Sequence, residues 1–225
     1  MKKVFAFVSL CFMAQSYAFS QVSPSIGLIK NFPLCLNVGL TYNEWANVPA
    51  YLTENPARNE GFDISLTHPF DTKKVQFIAG LGLSVVDFHT NADIWQFDST
   101  GLLSKDGLVP TSSYKNNKIA LTYFELPLEL KYEPTGFRSN GFYIAAGFKP
   151  GYCVDAHTKI VTDIATEKYK SFDDIARWRY SATFKIGYGH LSLYGMYSLK
   201  PTFNSASDAS YFTPYSVGVV YGTLD

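Results

Sequence analysis

The stretch TYFELPLELKY, residues 122–132, alternates large apolar side chains with polar and charged ones. Phe124, Leu126, Leu128, Leu130 and Tyr132 take one set of alternate positions, and Tyr123, Glu125, Glu129 and Lys131 take the other. A period of two marks a β-strand, whose successive side chains point to opposite faces. Pro127 interrupts the set, because it has no N–H to give to a ladder, so a bulge or local break is expected there. Alternation shows that there are two faces without showing which one is wet.

The same period recurs along the chain. Eight segments carry it: 36–43, 61–69, 75–88, 118–132, 141–150, 176–188, 191–199 and 214–223. Several reach the roughly 9–11 residues with which a tilted strand crosses a bilayer. SIGLIKNFP, just before the first, belongs to the same strand or forms a short one of its own. The most apolar run, 75–88, is broken by Gln76 and Ser84 and falls short of the roughly 20 residues of a spanning helix. The chain's 16 tyrosines, 18 phenylalanines and 16 glycines suit strands and turns. With 19 basic and 19 acidic residues the chain carries no electrostatic footprint for nucleic acid.

The first residues read as an export signal. MKK is a basic start, VFAFVSLCFMA an apolar stretch, and QSYAFSQ offers small residues for cleavage after Ala18 or Ser20. The expected organisation is a signal peptide over 1–20 and one barrel domain over 21–225. Leu10 before Cys11 is too large for a lipid-attachment motif. Cys35 and Cys153 then remain, too few for a disulfide framework, and they are expected at opposite ends of the barrel.

The connections 44–60, 70–74, 89–117, 133–140, 151–175, 189–190 and 200–213 alternate long and short. An outer-membrane barrel has short turns on the periplasmic side and long loops outside. If Gly189 and His190 form a two-residue turn, Tyr188 and Leu191 are cross-strand partners on one face. Trp178, Tyr180, Phe184 and Tyr188 share that face, aromatic near its ends as rings at two headgroup levels would be. The expected fold is therefore all-β: an eight-stranded antiparallel up-and-down transmembrane barrel. Phe124, Leu126, Leu128, Leu130, Tyr132 and the four aromatics above face outer-membrane lipid. A soluble lipocalin-like barrel with an apolar ligand inside would invert every facing.

YFELPLELKYEP, followed by GFYIAAGFKPGY, resembles the central motif of a bacterial outer-membrane β-barrel family, the PorT-like group. CLNVGLTYN, LSLYGMYSLKPTF and YSVGVVYG are similar to that family as well, so the resemblance spans the mature chain. It implies an eight-stranded outer-membrane barrel, for most members without an assigned activity, and, through the founding member, a role in type IX protein secretion. The ending YGTLD departs from the aromatic C-terminus usual for barrel insertion.

Eight strands enclose a lumen that side chains can fill. Charge in such an interior must be paired, so Glu125, Glu129, Lys131, Lys149, Arg179 and Lys185 are expected to form a lumen network that plugs it. Trp95, Phe97, Tyr114, Tyr169 and Phe172 are candidate loop contacts for an extracellular or secretion-machinery partner. His89 and His157, in or beside the long loops, have serines such as Ser84 and Ser112 near in sequence but no nucleophile elbow or oxyanion loop. The four histidines lack metal-site spacing and no phosphate loop appears. No catalytic residue, metal or cofactor is expected.

Overall fold

The computed structural model of the chain describes residues 34–46, 48, 58–70, 74–90, 116–135, 141–170, 175–204 and 212–223. The expected signal peptide lies outside them. The described residues form strands β1 (Cys35–Ala46), β2 (Glu60–Pro69), β3 (Val75–His89), β4 (Asn116–Glu125), β5 (Leu128–Tyr132), β6 (Phe142–Val161), β7 (Thr166–Lys170), β8 (Trp178–Tyr188), β9 (Leu191–Ser198) and β10 (Thr213–Gly222). All pairings are antiparallel. β4 and β5 are two halves of one stave, since both pair with β3 on one side and β6 on the other. β7 is a short return strand on the far end of β6. Eight staves remain, and the β1–β10 and β2–β3 ladders close them into a barrel.

The stagger of that closure can be walked residue by residue. From Glu44 the register passes through Tyr215, Tyr197, Ala182, Phe148, Leu128, Ala79 and His68. It returns to the first stave next to Cys35, at Leu34, ten residues short of Glu44. A stagger of that size tilts eight strands by about 35–45° to the barrel axis, so even long strands stay within a membrane-sized belt.

Pro127 breaks its stave as expected. Leu126 and Pro127 fall between β4 and β5, yet the wall stays sewn. Gly80 N donates to the Pro127 carbonyl at 3.0 Å, and Leu126 N donates to the Pro150 carbonyl at 2.9 Å. The proline thus removes one donor while its acceptor is used.

The connection expected over 151–175 is largely strand instead. β6 continues to Val161 and turns through Thr162–Ala165, whose backbone and hydroxyl bonds close the hairpin, into β7. A bulge hides this continuity from a period-two reading. Thr122 faces Asp155 while Tyr123 faces Cys153, so Val154 is an extra residue and the alternation changes phase. Cys153 and Ala156 therefore both point inward and are buried. Cys153 sits in the barrel wall and not in a loop, and neither it nor Cys35 is in a disulfide. His89 and His157 likewise lie on strands.

At the opposite rim the two-residue turn is as expected, with Tyr188 paired to Leu191. Gly189 has φ of 56°, and His190 has no positive φ. Glycine at the first central position gives the primed turn whose twist matches the strands. Glycine is needed for a different reason at Gly218, where a Cβ would lie 2.1 Å from the Leu40 carbonyl oxygen and 2.8 Å from Thr41 Cα. Backbone cannot yield there. At Gly195 a Cβ meets nothing within 4 Å. We expect Gly218→Ala to cost about 1–3 kcal/mol and Gly195→Ala to be close to neutral, read as urea midpoints of the refolded protein. Equal midpoints would contradict the close β1–β10 approach.

Candidate functional site

The inward positions of the staves form three layers. The middle layer is ionic. Glu125 reaches Lys149 at 2.8 Å and pairs with Arg179, and Lys149 also reaches Asp63 at 2.7 Å. Gly151, opposite Glu125 in register, leaves room for the carboxylate. Arg179 donates to Ser84 Oγ at 2.9 Å and lies over the Tyr123 ring with its guanidinium carbon 3.8 Å from the centroid, a cation–π contact strengthened by desolvation. Towards the turn rim, Lys185 pairs with Glu129 at 2.7 Å and Lys131 with Glu133 at 2.9 Å. Lys131 Nζ also sits 4.4 Å from the Tyr143 ring centre.

Glu125, Glu129, Lys131, Lys149, Arg179 and Lys185 each have a partner of opposite sign. The structure adds Asp63 and Glu133, which make four acids and four bases. Neither is legible from one strand alone, since Asp63 finds its partner on a stave it does not pair with and Glu133 lies beyond a strand end.

Below this layer a cavity of about 60 Å³ opens at the turn rim, lined in part by Asn37, Gln76, Glu129, Lys131, Tyr143 and Lys185. That is space for a few waters. A smaller void beside Glu125, Glu129 and Lys149 is about 10 Å³, roughly one water.

Above the ions the lumen turns apolar. Trp45, Phe88, Ile119, Leu121, Phe203 and Phe212 form one buried cluster with Tyr123 and Cys153. Trp45 stacks on Phe88 with centroids 3.9 Å apart, and Phe212 meets its ring edge-on at 5.6 Å. The Trp45 indole N–H donates to Thr202 Oγ1 at 2.9 Å, so the one polar atom of the ring is satisfied. Phe203 and Phe212 come from the described ends of the connection between β9 and β10, where Ala176 N donates to the Thr202 carbonyl and Thr202 N to the Phe212 carbonyl. Phe212 holds φ of 54°, a left-handed conformation unusual for a bulky residue.

The outer face is apolar. Phe124, Leu126, Leu130, Tyr132, Trp178, Phe184 and Tyr188 are all exposed, Leu130 at 59% and Phe184 at 52%, while Leu128 and Tyr180 are half-buried on the same face. Rings gather at both ends. Tyr152, Trp178 and Tyr180 are neighbours on β6 and β8 towards the loop rim, and His190 with Tyr221 and Phe70 with Phe77 lie at the turn rim. Leu81, Leu193, Val217 and Val219 are exposed between them.

Of the candidate loop contacts, Trp95, Phe97, Tyr114 and Phe172 lie outside the described residues. Tyr169 falls on β7, where it pairs in register with Thr158, and its side chain is outside the described set. The period-two reading gives no sign of the β6–β7 hairpin as a rim feature; its tip residue Ile164 is 96% exposed. His157 Nδ1 lies 2.8 Å from Asp155 Oδ2, and Lys170 holds the other oxygen of that carboxylate at 2.8 Å. Asp155 therefore pairs with Lys170 and lies within hydrogen-bond reach of the His157 ring.

Two crystal structures of Ail, the attachment invasion locus protein of Yersinia pestis, are similar to this chain. One, in complex with the heparin analogue sucrose octasulfate, is 8% identical with a TM-score of 0.36, covering 85% of this chain and 99% of Ail. The other is 9% identical with a TM-score of 0.37, covering 84% and 97%. No curated protein sequence matches the chain. The model of the outer membrane protein beta-barrel domain matches residues 13–204, and with an apolar outer face around a closed eight-stave ring, this chain belongs to that outer-membrane β-barrel family.

Proposed function

We propose that this protein is an integral outer-membrane barrel with a closed lumen, acting as a structural or interaction protein through its loop rim. The observation that carries this reading is the lumen itself. Among the described residues, paired ions occupy its middle and a ring cluster lies above them, an arrangement that supports a lumen without a continuous water path. Binding surfaces on such a scaffold belong to its rim and loops, and the β6–β7 hairpin extends the rim on that side. On this reading the apolar outer face meets lipid, the long connections lie outside the cell, and segment 1–20 is the export signal.

The proposal is tested in planar bilayers. The refolded protein is expected to leave the membrane's conductance at baseline over the usual voltage range. A stable open conductance from a single barrel would overturn the closed-lumen reading.

The resemblance of YFELPLELKYEP to the PorT-like group supports a narrower role, as an accessory of type IX secretion. Recovery of secretion components with the tagged protein from native membranes separates that role from a purely structural one. The inverted, lipocalin-like reading needs an apolar lumen and a polar exterior. Five ion pairs inside and Leu81, Leu130 and Leu193 outside stand against it.

A further inference from the structure

Past the bulge at Val154, the outer face of the β3–β4–β6–β7 wall changes character. In register, Lys118 lies opposite Lys159, and Lys159 lies opposite Lys168. Three ammonium groups from three adjacent strands thus stand in one cross-strand row, on the face that carries Tyr152 and Val154 lower down. Directly opposed like charges destabilise a sheet, and nothing about strand pairing calls for them here.

Among the described residues the row is neutralised only in part. Lys118 pairs with Asp87, and Lys170, one row below, pairs with Asp155. Lys159 and Lys168 have no acidic partner among the described residues. His89, in register with Lys118, brings no acid to the row. Glu60, on β2 at the far side of Asp87, is separated from the unpaired lysines by the β3 and β4 staves.

Position identifies the partner. Val154 is exposed among the outward apolar residues, and Lys159 follows it by five residues, roughly 16 Å along the strand and less in height because of the tilt. On that face the His157–Lys170 row, with Asp155, comes between Val154 and Lys159; on the membrane-spanning reading the lysine row therefore falls on the headgroup side of the apolar belt. From these observations we infer that Lys118, Lys159 and Lys168 form a docking strip for phosphate groups on anionic glycolipid headgroups of the surrounding leaflet. The strip spans about two strand spacings, near 10 Å, so a headgroup with more than one phosphate meets several ammonium groups together.

This inference rests on the membrane-spanning reading above, but its test does not depend on which rim faces out. The full-length protein, refolded in zwitterionic detergent, is titrated with diphosphorylated lipid A and with fully dephosphorylated lipid A by native mass spectrometry. Wild type is expected to prefer the phosphorylated form and to lose that preference as ionic strength rises. Lys159→Gln/Lys168→Gln should weaken binding roughly thirtyfold, about fivefold per lysine. Lys74→Gln, at the opposite rim, should leave it unchanged. Heat-modifiable migration on gels shows whether each variant is folded and so keeps a barrel failure distinct from a binding failure. Equal binding of the two lipids, or unchanged binding by the double variant, overturns the inference. So does lysine-dependent binding of a soluble polysulfated glycan without binding of lipid A, which would assign the strip to an external acidic glycan.

Discussion

Replacing Glu125 by glutamine is expected to destabilise the barrel by about 3–5 kcal/mol, the usual cost of removing one partner from a buried ion pair. Glu125 is 2% exposed and serves two cations, Lys149 and Arg179. Lys149 keeps Asp63 as a partner, whereas Arg179 is left with Ser84 and the Tyr123 ring. The loss should therefore fall mainly on Arg179. Adding Arg179→Met to Glu125→Gln should recover much of the stability, because well-packed apolar residues commonly replace a buried pair at little cost. Urea unfolding in liposomes, followed by gel migration, measures both. If the single variant is as stable as wild type, the central ion layer does not exist as described. If the double variant is worse than the single one, the cost has another source, such as a cavity.

The second large effect is expected on the other face. Phe184 lies on β8 between Trp178 and Tyr188, with its ring 52% exposed. Arginine at that position would place a charge in hydrocarbon, and near the middle of a membrane barrel this costs about 2–4 kcal/mol. Phe184→Leu should cost far less, since it keeps the surface apolar. The comparison is informative because exposure predicts the opposite for a soluble protein, where a half-exposed phenylalanine is readily replaced by arginine. Urea midpoints in liposomes decide: a normal midpoint for Phe184→Arg would place that face in water.

The two faces were legible because a barrel in lipid forces strict alternation, and TYFELPLELKY, WRYSATFKIGY and LSLYGMYS obey it almost without exception. The break at Pro127 and the turn at Gly189 were legible for the same kind of local reason: one residue lacks a donor and another tolerates positive φ. Cross-strand partners were not. Asp63 sits on an inward position of β2 that alternation reveals, but its pairing with Lys149 depends on ring closure between staves far apart in sequence. The continuation of β6 was hidden by a single extra residue, Val154, which put Cys153 and Ala156 on one face. The apolar plug was hidden because Phe203 and Phe212 belong to a segment with no period, and only folding back against Trp45 makes them a core. In an inward-facing interior that changes from ionic to aromatic along its axis, position on a strand tells which way a side chain points without telling which layer it joins.

The central claim is that the apolar face meets lipid while the charged face is enclosed, and adjacent positions at one height test it most directly. Lys185 pairs in register with Tyr194, next to outward Phe184. In a protein whose three tryptophans are replaced by phenylalanine, a single tryptophan is introduced by Phe184→Trp or by Tyr194→Trp, and each is refolded into liposomes containing bromine-labelled acyl chains. Strong quenching of the first and little of the second is the predicted result. Strong quenching of the Tyr194→Trp protein, or none in the Phe184→Trp protein, would contradict the account.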